Sequence, residues 1–300
     1  MTPTFIAGDW GTSRLRLYLC DGDKVIDRKS GPGAVGQLEP HQVIMSTLVA
    51  PWKAAYGALP VLLCGMVGSR NGWVEAPYAP CPADAATLRS LCVRFSSENA
   101  QIGIVPGVVA QDASEAPDVM RGEETQVMGA LALTPDLSHG RRLLALPGTH
   151  TKWVIVQDGK IVRFQTALTG EVFALLRDHS TLIKVAGAEG LNAGEGFAQG
   201  LARYGETPGD LLHKLFEVRS RQLIDGWGPA FALDFLSGLL IAADVERGAR
   251  LQAGGSPITL IGDPLLTERY AQALAVCGAD TNILSGETCA LAGLRAIFRP

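Results

Sequence analysis

The chain has 300 residues, room for two domains of ordinary size, and 47% of them are hydrophobic, which excludes a disordered chain. Lys and Arg number 26 against 30 Asp and Glu, and a net charge of −4 excludes a dedicated nucleic-acid binder. Glycine is abundant at 35 residues with no collagen-like period, so the turns are where the chemistry is to be sought.

The amino terminus has no basic segment ahead of an apolar run, and the longest apolar stretch, residues 236–243, is far short of the ~20 residues of a membrane span. A soluble, cytoplasmic protein with no membrane or nucleic-acid partner is expected. Six cysteines without a CxxC pair suit reduced thiols, and the scattered histidines give a zinc site no support.

Residues 5–26 read as strand, Gly11-Thr12 turn, strand, Asp21-Gly22 turn and strand. Residues 39–56 carry Ile44, Leu48, Trp52 and Ala55 at helical spacing, with Pro51 expected to kink or restart the helix. Residues 61–64 form a short buried strand that ends in the loop 65–72. A second strand spans 101–105, a helix 123–133, and the breaker-rich stretch 134–140 connects two domains. Residues 143–162 then repeat the opening plan, with Gly148-Thr149 and Asp158-Gly159 each 137 residues after Gly11-Thr12 and Asp21-Gly22. Helices follow at 170–178, at 208–224 with Thr207 as N-cap and Pro208 in the first turn, and at 229–250. Strand 258–261, helix 264–276, strand 282–284 and helix 287–298 complete the chain. The repeat implies an α/β protein of two duplicated lobes, 1–136 and 137–300, each a mixed sheet with helices, with the active site in the cleft between them.

The turn from Gly8 to Ser13 offers backbone N–H groups, two hydroxyls and the carboxylate of Asp9, a set able to hold a phosphate and a magnesium ion. An Asp-x-Gly-Thr turn is also ordinary hairpin chemistry. The second turn, Pro147 to Lys152, supplies Gly148, Thr149, His150, Thr151 and the cation of Lys152. Neither Walker-A spacing nor a dinucleotide GxGxxG is present.

Two such turns opening duplicated α/β lobes resemble the actin-like ATPase superfamily that includes the sugar kinases. Within it the chain is similar to the 2-dehydro-3-deoxygalactonokinase family, on DWGTS at residues 9–13, LCGMVGSRNGW at 63–73, MRGEETQ at 120–126, LPGTHTKW at 146–153 and LSGLL at 236–240. The resemblance implies transfer of the ATP γ-phosphate to the 6-hydroxyl of 2-dehydro-3-deoxy-D-galactonate, with ATP and Mg2+ as cofactors. It further implies that Asp9 anchors magnesium, that Gly11, Thr12, Ser13 and residues 148–152 bind the ATP phosphates, and that Gly262, Asp263 and Leu265 meet adenosine.

The acceptor loop implied by the resemblance holds Met66, Ser69, Arg70, Asn71 and Trp73. There Arg70 would pair with the substrate carboxylate while Trp73 or Tyr78 covers a carbon face. The competing reading makes this loop a solvated turn with Trp73 a core anchor. Glu171 either touches substrate or caps its helix, and His150 is equally open. The general base is expected at the start of the helix after Gly122, with Glu124 the better match and Glu123 its neighbour; both otherwise only stabilise a helix start. Other 2-keto-3-deoxy sugar acids, such as the gluconate epimer, are alternative acceptors, and a non-catalytic actin-like switch is an alternative class. A homodimer is compatible with all of these.

Overall fold

A computed structural model of the chain describes residues 2–111, 116–183, 194–252 and 255–298. Strands β1 (Phe5–Trp10), β2 (Arg14–Asp21) and β3 (Lys24–Pro32) form the opening meander, followed by α1 (His41–Tyr56) and β4 (Val61–Cys64). Next come β5 (Tyr78–Pro80), α2 (Ala85–Ser90), β6 (Val93–Ser97), β7 (Ala100–Ile104), β8 (Gly107–Ala110), β9 (Asp118–Met120) and α3 (Glu123–Leu133). The meander recurs as β10 (Arg141–Leu146), β11 (Thr151–Gln157) and β12 (Lys160–Ala167). Helices α4 (Thr169–His179), α5 (Glu195–Glu206), α6 (Leu211–Leu215), α7 (Glu217–Ile224) and α8 (Pro229–Ala249) follow it. The chain closes with β13 (Ile258–Gly262), α9 (Pro264–Val276), β14 (Thr281–Ser285) and α10 (Gly286–Phe298).

Two sheets share one plan. The first has the order β3-β2-β1-β4-β7-β6 and the second β12-β11-β10-β13-β14, so each opens with a meander and adds further strands beside its first member. The all-apolar β4 pairs in parallel with both β1 and β7, as a strand buried on both faces should. The small sheet β5-β8-β9 was not expected, because strands of three or four residues carry no readable alternation.

By packing, one unit comprises 1–141, 154–164 and 284–300, and the other 142–153 and 165–283. This differs from the expected division at 136/137, and glycines show why. A Cβ on Gly129 of α3 would lie 1.8 Å from the Cys289 carbonyl oxygen, and one on Gly293 of α10 1.8 Å from that of Thr125. Helix α10 therefore packs backbone to backbone on α3 and joins the first unit. The core of that unit gathers Trp10, Leu15, Leu17, Trp52, Leu63 and Ile104; a core of the second gathers Tyr204, Val218, Phe235, Leu236 and Leu239.

Helix α1 begins at His41 and continues through Pro51 rather than restarting, because Ile44, Met45 and Trp52 are buried along it and offset one lost hydrogen bond. The expected helix 208–224 is two short helices, with Asp210 instead of Thr207 before the first. Gly209, at φ 87°, cannot continue a right-handed helix from Pro208. Helix α5 escaped notice because Gly196, Gly200 and Gly205 interrupt its Phe197, Leu201 and Tyr204 spacing. No helix among the described residues is long and apolar enough to cross a membrane.

Candidate active site

In the first unit the β1–β2 register sets Asp9 opposite Arg16, and the β1–β4 register sets it beside Cys64. The Asp9 carboxylate is 20% exposed and stands 3.6 Å from Arg16 Nη1, while the Cys64 thiol points at its other oxygen from 3.9 Å. Burial raises the Asp9 pKa; Arg16 opposes this and Glu287 adds to it. Glu287, in the first turn of α10, reaches Arg16 at 3.6 Å and Arg28 at 3.5 Å, so charges alternate along Asp9, Arg16, Glu287 and Arg28. Arg16 and Glu287 were missed. The hairpin register, fixed by the Gly11-Thr12-Ser13 turn, was the signal that would have paired Arg16 with Asp9.

Within that turn the Gly11 N–H donates to the Arg14 carbonyl at 3.0 Å, leaving the exposed Thr12 and Ser13 facing outward. A Cβ on Gly11 would meet nothing nearer than 3.8 Å. The fold itself therefore does not demand glycine there. Gly65 is different: its φ is 93°, and a Cβ would come within 2.8 Å of the Trp10 carbonyl oxygen. Gly122 packs in turn on Gly65, so the end of β1, the acceptor loop and the start of α3 converge.

Glu124 is fully buried at this convergence. Its Oε2 accepts from the Gly122 N–H at 2.6 Å and its Oε1 from the Thr125 hydroxyl at 2.8 Å. Burial pushes its pKa up to about 7, with the Glu123 charge adding to the effect. Glu123 is only half-buried and accepts from the Arg121 backbone N–H at 3.0 Å.

The acceptor loop divides between core and solvent. Met66 and the half-buried Trp73 pack on the hydrophobic core, the Trp73 ring meeting those of Trp10 and Phe95 edge-on at 6.3 and 5.2 Å. Arg70 is 87% exposed and 3.7 Å from Glu75, itself 58% exposed; Asn71 is exposed. The Ser69 hydroxyl is buried without a hydrogen-bond partner.

In the second unit a cavity of about 300 Å³ is lined by Gly148, Thr149, Gly170, Asp263, Leu265 and Tyr270, among others. Two segments more than a hundred residues apart, the second phosphate turn and the expected adenosine turn, thus share one hollow. Among the described residues beyond its chain neighbours, no heavy atom lies within 4 Å of where a Gly148 Cβ would stand, and a Gly262 Cβ would sit 3.3 Å from the Pro147 carbonyl oxygen. The Asp263 carboxylate caps α9, accepting from the Leu265 and Leu266 N–H groups at 3.0 and 3.4 Å. His150 Nε2 and Glu171 Oε2 lie 2.5 Å apart, and the Glu171 N–H donates to the Thr149 carbonyl at 2.9 Å. Glu171 thus holds the turn expected to bind phosphate.

Two residues of that turn face inward. Lys152 is buried, its Nζ donating to the Thr166 hydroxyl at 2.9 Å. Thr151 is also buried, its hydroxyl 2.9 Å from that of Tyr270, so the side chain expected on phosphate is spent in the core. The Tyr270 hydroxyl, its pKa raised well above normal by burial, stays protonated and donates to Asp244 Oδ2 at 2.5 Å. Asp244 also accepts from Thr169 at 2.6 Å and from the Trp153 indole at 2.7 Å. This buried carboxylate ties β11, α4, α8 and α9 together, and sequence alone offered no sign of it.

Comparison with known proteins adds four findings. A family model for 2-keto-3-deoxy-galactonokinase matches residues 9–297. A 2-dehydro-3-deoxygalactonokinase from Escherichia coli (strain K12) is 37% identical over 99% of this chain and 98% of its own length. Among solved structures, a Sinorhizobium meliloti protein described as a candidate 2-dehydro-3-deoxygalactonokinase superposes with a TM-score of 0.89 at 33% identity, covering 98% of each chain. A dehydratase activator from Clostridium difficile with bound ADPNP shares only the fold, with a TM-score of 0.52 at 11% identity over 98% of this chain and 94% of its own.

Proposed function

The chain belongs to the 2-keto-3-deoxy-galactonokinase family, and from that premise we propose which of its residues carry the reaction. It is an ATP-dependent kinase of the actin-like fold class that phosphorylates the 6-hydroxyl of 2-dehydro-3-deoxy-D-galactonate, a step of galactonate breakdown. In our reading it works in the cytoplasm, needs no nucleic-acid or membrane partner, and is compatible with a homodimer.

The observation that carries the nucleotide assignment is the shared hollow of the second unit. Gly148 and Thr149, which line it, would hold phosphates with the neighbouring His150, while Asp263 and Leu265, which also line it, would meet adenosine with the neighbouring Gly262. Gly148 fits this use, since no packing requires it and a close ligand does. In the first unit Gly11, Thr12 and Ser13 form the other turn that would bind phosphate.

Asp9 suits magnesium. Its contacts with Arg16 and Cys64 are long, and among the described residues no cluster of three ligating side chains exists. Magnesium commonly takes one or two carboxylates and draws its other ligands from phosphate and water. When bound, it would neutralise charge on the β- and γ-phosphates.

Phosphoryl transfer then needs the acceptor hydroxyl to be positioned and its proton taken. Met66, Ser69 and Asn71 would position the sugar acid, and Glu124, with a pKa of about 7, would accept the proton. A second reading rests on exposure: Glu123 at the same helix start needs no uncovering to reach a substrate. The test is formation of the 6-phosphate from ATP and the acid by the parent protein, Glu124→Gln and Glu123→Gln. We expect Glu124→Gln to lose ~10²-fold in kcat and Glu123→Gln to lose little. The reverse order transfers the role to Glu123.

A further inference from the structure

The substrate is an acid, and recognition of its carboxylate calls for a cation held still and out of water. Arg70 is neither. Its side chain is 87% exposed, and its ion pair to Glu75, at 3.7 Å, lies in solvent. Such a pair contributes little and organises nothing.

Arg121 is held from two sides. Its guanidinium lies over the Tyr78 ring, 4.4 Å from the centroid, and its Nη2 donates to the Ala76 carbonyl at 2.8 Å. Its Nε and Nη1 are buried and have no hydrogen-bond partner among the described residues. Nη1 sits against Gly68, 3.0 Å from where a Cβ would stand, and the next residue, Ser69, has a buried hydroxyl that is likewise unpartnered. Three unsatisfied donor atoms thus occur on two residues flanking one stretch of backbone, and the Arg121 N–H is bonded to Glu123 at the start of α3. Leaving charged donors buried and unpaired is costly, and an anion is the group that would satisfy them.

We propose that Arg121, assisted by the Ser69 hydroxyl, recognises the carboxylate of the sugar acid. This rests on the acceptor loop being where the sugar acid binds. The guanidinium is pre-set by Tyr78 and Ala76, so binding orders little that was free. A neutral sugar of the same shape would leave the buried donors unpaired and be rejected for that reason.

The test compares kcat/KM for 2-dehydro-3-deoxygalactonate with that for its neutral analogue bearing CH2OH in place of the carboxylate. It uses the full-length parent, Arg121→Met and Arg70→Ala. In Arg121→Met the acid-to-analogue ratio should collapse by about 100-fold, with the KM for ATP within about twofold of the parent. The collapse in Arg70→Ala should be at least about tenfold smaller. A folded Arg121→Met with an unchanged ratio, or an equal loss on both substrates, overturns the assignment, as does a larger effect from Arg70→Ala. Should Arg121→Met fail to fold, Arg121→Lys takes its place: the ratio should fall about tenfold, because an ammonium cannot reproduce the planar donor set, and an unchanged ratio overturns the proposal. A parent inactive on the acid would defeat the activity itself, a result distinct from all of these.

Discussion

The two turns proposed to bind phosphate share a backbone plan and differ in the pair of residues that flanks each. In the first, Asp9 and Arg16 pair across the hairpin, half-buried and within reach of a ligand. The residues 137 positions later are Leu146 and Trp153, both buried, and the Trp153 indole points inward to Asp244. The hairpin recurs, but the positions flanking its turn are charged and partly exposed in the first copy and apolar and buried in the second. The first turn is equipped for charge and the second for shape, so substitutions should affect turnover at one and nucleotide affinity at the other.

The largest expected effect is at Asp9. Asp9→Asn should lower kcat by about 10²- to 10³-fold, the scale on which removal of one charge-stabilising group acts. It should not lower the melting temperature, because burial raises the Asp9 pKa and the ionised carboxylate therefore weakens the folded state. Steady-state kinetics beside a thermal melt would check both halves. Near-normal turnover would remove the contrast between the turns.

Glu124 extends the first turn's chemistry to pH. Its pKa is raised from 4.5 to about 7 in the folded chain, so the folded state holds this proton more tightly than the unfolded one. Stability from this group is whole at pH below 4.5, declines as pH rises towards 7 and is lost above that. Glu124→Gln removes the titration. Urea denaturation should show the stability difference between variant and parent widening in the variant's favour by about 3 kcal/mol between pH 4.5 and 8, from 1.36 kcal/mol per pKa unit. A gap that stays constant with pH would mean that Glu124 is not held at a raised pKa.

Much of this comparison was legible in the sequence, because hairpin turns are local. Gly11-Thr12 and Gly148-Thr149 fixed where the meanders close, and the bounds of α3 and α9 were read without error. What stayed hidden depends on contacts distant in sequence. Arg16 needed the strand register, and Asp244 is one acid on a long helix whose three partners come from β11, α4 and α9. The inward turn of Thr151 follows from where Tyr270 lies, 119 residues away. Trp73 and Arg70 were ambiguous for the same reason, since a loop's sequence does not say which side chains its neighbours cover.

A smaller effect sharpens the second turn. Gly148 has open space around its missing Cβ and no left-handed φ, so Gly148→Ala should keep or slightly raise the melting temperature by restricting the unfolded chain. The added methyl should nevertheless stand where phosphate approaches, raising the KM for ATP about tenfold with kcat little changed. Were the KM to stay at the parent value, the glycine would have no ligand to make room for.

Thr151 should show the smallest effect on activity, and it is the residue that separates a phosphate ligand from a core residue in the second turn. Because the Tyr270 hydroxyl donates to Asp244, the Thr151 hydroxyl must be the donor in its contact with Tyr270, which leaves it no proton for a phosphate oxygen. Thr151→Val keeps shape and volume and removes only that bond. Loss of one buried hydrogen bond costs about 1 kcal/mol, so denaturation should register a modest drop while the KM for ATP stays within about twofold. A phosphate ligand would behave the other way, with stability held and the KM raised about tenfold or more. That outcome would require the side chain to leave Tyr270 in the nucleotide-bound protein and would make the two turns alike in function as well as in backbone.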